Sequence, residues 1–144
     1  MKNRFARSHT ALWLTVFSVF LSACSGAPQN QSQNKAPERP PVFEGFHDVT
    51  NCNGIMGWAW DKNRPDDPIQ VDVYDGDTLL ATVTADDFRQ DLLAAGIGNG
   101  QHSFTYPVPP RLKDGKARSI KMKFAGTNID LANTPKLINC VFEQ

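Results

Sequence analysis

The sequence predicts an all-β fold, an antiparallel sandwich of seven or eight short strands with one short helix. Three observations carry this. From Val42 onward apolar residues recur with period two, the mark of strands with one buried face. The runs are short and separated by Gly, Pro, Asn and Asp, at the spacing of sandwich strands. A single stretch, TADDFRQDLLAAG, breaks that period.

The first strands are expected near residues 43–48 and 52–60. In NCNGIMGWAWD, residues 51–61, Cys52, Met56, Trp58 and Trp60 fall on one face and Ile55 and Ala59 on the other. Gly57 and Ala59 flank Trp58 and let a partner sheet approach, so Trp58 is expected in the core. Trp60 ends the strand beside a polar loop and is read either as core or as a partly exposed stacking aromatic. In IQVDVYDGD, Ile69, Val71 and Val73 alternate with Gln70, Asp72 and Tyr74, and Asp75-Gly76 is expected to supply both positive-φ positions of a tight hairpin. TLLATVTA returns with Leu79, Ala81 and Val83 on one face. The helix is expected over TADDFRQDLLAAG, with Thr84 as N-cap, Asp87 completing a capping box, Phe88 and Leu92 sharing a face, and Gly96 closing it. Phe104, Tyr106 and Val108 alternate with polar residues, as do Ile120, Met122 and Phe124, and KLINCVF is the last strand.

The N-terminus reads differently. Lys2, Arg4 and Arg7 precede the apolar run ALWLTVFSVFL, which is too short to span a bilayer as a helix. LSAC, Leu21 to Cys24, follows, and it resembles the lipobox of bacterial lipoproteins. The resemblance implies a signal peptide over 1–23, lipid on Cys24 and a membrane anchor. Ser25 after Cys24 implies, in the Gram-negative pattern, the outer membrane. With Cys24 lipidated, the odd cysteine count resolves into a pair, Cys52 and Cys140, either disulfide-bonded in an oxidising compartment or buried as free thiols. Residues 24–41 lack large apolar side chains and read as a disordered tether with an r.m.s. reach of roughly 20–25 Å. The folded domain is expected over 42–144.

Loss of Lys2, Arg4 and Arg7 with the signal leaves 12 basic against 15 acidic residues, a formal charge of −3. That is not a nucleic-acid binder's balance. No Cys or His spacing suits zinc, and DKNRPDD, residues 61–67, lacks the Gly and distant Glu of a calcium loop, so it reads as a solvated turn. There is no G-x-S-x-G elbow, and His102 and Ser103, adjacent on a strand, point to opposite faces. GIGNGQH, residues 96–102, follows a helix and precedes a strand, the reverse of a phosphate loop, and reads as a turn. No cofactor, no metal and no catalytic residue is expected. The basic run from Arg111 to Lys123 is read as a solvated face that blunts edge pairing, or as a patch for anionic headgroups or cell-wall polymers.

The stretch from GWAWD through ADDFRQDL and GIGNGQHSF to LKDG is similar to a module that recurs in bacterial proteins beside glycosyltransferase and surface-related domains. The resemblance covers about residues 54–124, implies an immunoglobulin-like sandwich, and assigns no binding or catalytic residue. Arg89 is read as pairing with an aspartate to pin the helix. The function expected is a non-catalytic binding or scaffolding module at the cell envelope, engaging an envelope protein or a glycan. The alternative is a carbohydrate-binding module that stacks sugars on Trp60, Tyr74 and Tyr106.

Overall fold

A computed structural model describes residues 39–141. The expected signal peptide, Cys24 and all but the end of the tether lie outside them. Eight strands form two antiparallel four-stranded sheets. β1 (Phe43–Thr50), β2 (Gly54–Asp61), β5 (Asp87–Phe88) and β6 (Gln101–Pro107) make the first, in the order β1-β2-β6-β5. β3 (Ile69–Asp75), β4 (Thr78–Ala85), β7 (Asp114–Phe124) and β8 (Lys136–Val141) make the second, in the order β4-β3-β7-β8. A short helix, α1 (Gln90–Ala94), sits between β5 and β6. Lettered in chain order, these sheets are A-B-E-D and C′-C-F-G, the strand order of an immunoglobulin-like sandwich.

Val71 and Val73 on β3, Ile120, Met122 and Phe124 on β7, and Ile138 and Cys140 on β8 fill the inner face of the second sheet, as their period-two spacing predicts. Facing them are Ile55 and Ala59 on β2 and Phe104 on β6. Phe43 stacks on Phe124, ring centroids 4.7 Å apart, and joins the two sheets near the start of β1.

β2 turns the opposite face inward from the one expected. Gly54, Ile55, Gly57, Ala59 and Asp61 are buried, whereas Met56, Trp58 and Trp60 lie half-buried on the outer surface. The reason is space. Gly57 pairs with Phe104, and a Cβ on Gly57 would stand 2.5 Å from the Phe46 carbonyl and 2.8 Å from the Phe104 ring. Rings from β6 and β7 fill the interior, so the first sheet offers small residues to receive them, and its tryptophans point out.

The disulfide joins Cys52 to Cys140. Cys52 lies in the turn between β1 and β2, before the strand begins, so the bridge links that turn to β8. It does not face Met56 and Trp58 across the interior.

The helix is shorter than expected. Thr84 and Ala85 complete β4, paired with Gln70 and Ile69, and Asp87 and Phe88 pair with Ser103 and Gln101 as β5. Sheet pairing overrides the local capping pattern as the chain crosses from one sheet to the other. Arg89 stands at the N-cap in an extended conformation without a side-chain cap bond. Leu92 is the helix's buried residue, while Phe88 is 53% exposed. Gly96 does terminate the helix, at φ 75°. The hairpin also differs in detail: Asp75 pairs with Thr78, and Gly76 takes the positive φ, 58°, at the first of two loop positions. That is the type II′ pattern. A register shift beside Tyr74 leaves Leu79 exposed rather than in line with Ala81 and Val83.

Candidate functional site

The three aromatics expected to form a platform are not brought together. Trp60 is on the outer surface of the first sheet. Tyr74, paired with Lys121, is on the outer surface of the second. Tyr106, paired with Ile55, packs against the core.

Trp60 is held in place. Its Nε1 donates to the Pro65 carbonyl at 3.2 Å, its ring lies tilted against His102, and the Lys62 ammonium stands 6.0 Å from the ring centroid. The Pro65 carbonyl also lies 2.8 Å from Nε2 of the fully buried His102. A carbonyl only accepts, so Nε2 carries the proton. Gly98 closes this knot, because a Cβ there would fall 1.8 Å from the Pro65 oxygen. The GIGNGQH segment thus locks the 62–68 loop onto β6 by packing.

The 61–67 loop is not simply solvated. Asp61 is fully buried and accepts from the Val42 amide at 2.8 Å, the Asn63 amide at 3.0 Å and Arg64 Nε at 2.8 Å. Burial pushes its carboxyl pKa up, but these donors together hold it below the ordinary carboxylate value. Its oxygens therefore fix the entry into β1. Among the described residues no group of three His, Cys, Asp or Glu side chains converges as a metal site.

What the first sheet does assemble is an outer face that the sequence pattern did not reveal. Phe46 pairs with Trp58, Trp58 with Ser103, and Ser103 with Asp87, giving one row across four strands. Val49, Met56 and Thr105 give the next row. Phe46 and Val49 are 38% and 42% exposed. Arg89, just beyond β5, reaches across this face to Asp48 on β1 at 2.5 Å, and its other edge is clamped by Asp91, Nε to Oδ1 at 3.0 Å and Nη2 to Oδ2 at 2.7 Å. This is the expected Arg89–aspartate pairing, with two partners. The bonds to Arg89 hold Asp91's pKa below its ordinary value. Beside this ion pair lies a groove of about 280 Å³, lined by Val49, Met56, Ser103 and Thr105 together with Asp48 and Arg89.

Because both tryptophans are half-buried on this face, Trp58→Ala and Trp60→Ala are each expected to cost under about 2 kcal/mol, less than a core Trp truncation of about 3–5 kcal/mol. Urea unfolding of the two variants checks this, and loss of folding in either would place that ring in the core.

On the second sheet, Lys121 and Lys123 lie on the outer face as expected, 3.8 Å from Asp77 and 3.7 Å from Asp130, but β7 runs between β3 and β8, so they do not guard a sheet edge. No helix among the described residues is long and apolar enough to cross a membrane. No family model matches the chain, and no curated protein matches it. Among solved structures, the crystal structure of an engineered protein is similar over 73% of this chain at 10% identity, with a TM-score of 0.34. The match spans 21% of that structure's own length.

Proposed function

We propose that this chain is a lipid-anchored protein of the bacterial outer membrane whose sandwich is a non-catalytic binding or scaffolding module. The observation that carries the reading is the use made of three cysteines. Cys52 and Cys140 pair with each other, which fits an oxidising compartment and leaves Cys24, in LSAC, for lipid. Each buried CH₂ contributes about 0.8 kcal/mol to membrane attachment, and several acyl chains together hold lastingly. The binding surface is the outer face of the β1-β2-β6-β5 sheet, where Phe46 and Val49 stand exposed beside a groove.

The test is Cys24→Ser in the native host. Incorporated palmitate label is expected to vanish, and the mature membrane form to be replaced by uncleaved or soluble protein. Unchanged labelling and fractionation would refute the anchor.

A further inference from the structure

We infer that the outer face of the β1-β2-β6-β5 sheet docks an extended protein segment in which apolar residues alternate with Lys or Arg. This rests on the binding reading above and names its partner class. The sandwich is electrically two-sided. Strands β1, β2, β5 and β6 contain no Lys or Arg, but carry Glu44, Asp48, Asp61 and Asp87. The opposite sheet carries Lys116, Arg118, Lys121, Lys123 and Lys136 against Asp72, Asp75 and Asp114, an excess of two positive charges. Asp61 is buried and its carboxylate is committed. Glu44 has Lys62 at 2.6 Å.

Two groups remain on this face, one lining the groove and one at the end of the neighbouring row. One is Asp48, which shares a single guanidinium with Asp91. The other is Asp87, exposed at the end of the Phe46–Trp58–Ser103 row. Asp48, Arg89, Asp91 and Asp87 together carry two negative charges in excess. The apolar residues between them give a partner its contact area, and the acidic rim gives the preference for a cation. The aromatic faces of Trp58 and Phe46 favour the same charge.

A neutral sugar suits the face less. Trp60, the aromatic nearest its other end, has its indole N–H bonded to Pro65 and Lys62 over its ring. A second copy applying its basic sheet suits it less too, since Lys121 and Lys123 already have Asp77 and Asp130 beside them.

The experiment is calorimetric titration of the full chain in non-ionic detergent. The probes are short extended peptides with apolar residues alternating with Thr and with Lys, Gln or Glu at matched positions. Chitotriose is the glycan probe. The Lys peptide is expected to bind about tenfold tighter than the Gln peptide, with the advantage shrinking at high salt. Asp87→Asn, an exposed change, is expected to reduce that advantage by up to about fivefold while leaving the Gln peptide unaffected. Phe46→Ser is expected to weaken every peptide. Equal affinities that fall together in Phe46→Ser overturn the charge preference alone and leave a binding face. Titration by chitotriose and by no peptide overturns the inference in favour of sugar. Self-association abolished by Lys121→Gln and Lys123→Gln overturns it in favour of a second copy. No binding by any probe overturns both the inference and this face as a binding surface.

Discussion

Loss of the Cys52–Cys140 bridge is expected to destabilise the domain by roughly 4–5 kcal/mol, the loop-closure entropy of a cross-link spanning 88 residues. That is comparable to the whole stability of a marginal domain. The bridge encloses β2 to β7 and most of β8, so opening it frees nearly every strand in the unfolded chain at once. Equilibrium urea unfolding should show the Cys52→Ala, Cys140→Ala double variant far below the oxidised protein. Reductant should bring the wild type down to the same midpoint and leave the double variant unmoved. A difference under about 1 kcal/mol, or two free thiols at these positions in the oxidised protein, would remove the bridge from the stability account.

The second large effect is acid-dependent and belongs to His47, fully buried on the inner side of β1. Thr134 Oγ1 accepts from the Met122 amide at 3.0 Å and lies 3.2 Å from His47 Nδ1. The two ring nitrogens face the Thr134 and Thr50 hydroxyls, and in the neutral ring one of them donates while the other accepts. The ring is neutral with both nitrogens used. Burial, with the Lys136 charge adding to it, lowers its pKa from 6.5 to about 4. The unfolded chain takes up this proton near pH 6.5 and the folded chain only near 4. The stabilisation is thus complete above about pH 6.5 and lost progressively down to about 4, by about 3 kcal/mol in all. His47→Gln should be less stable than wild type at pH 7 yet show a flatter pH dependence between 7 and 4. Parallel curves for the two proteins would assign the acid loss elsewhere.

The inner face of the second sheet was readable from sequence because Val71, Val73, Ile120, Met122 and Phe124 are apolar, alternate with polar residues and have no rival face. β2 has two candidate faces. One bears Met56, Trp58 and Trp60, the other Ile55, Gly57 and Ala59. Hydrophobicity favours the first, but the rings of Phe104 and Phe124 decide for the second, and they come from strands distant in sequence. The repeated small residues at 45, 57 and 59 were the available signal. α1 shrank for a similar reason, since Asp87 and Phe88 found partners on β6 that a local capping pattern cannot anticipate. The outer face of the first sheet depends on the Arg89–Asp48 ion pair, 41 residues apart, and on strand order, neither of which periodicity encodes.

The placement of the bridge has a mechanical side. Chain entering the domain at Val42 is fastened by Asp61 at one end of the sandwich, and Cys52 closes the other end of β1. Tension applied ahead of Val42 first meets the Asp61 clamp and then β1, held by β2 along one side and by the Ala132 backbone, bonded to Gly45 and His47, on the other. Peeling of β1 halts at Cys52, where part of the load passes through sulfur into β8. The segment freed before that stop is roughly ten residues, about 35 Å of extended chain. Beyond that point the load divides at the bridge between β2 and β8, so further extension must pull at both sheets at once.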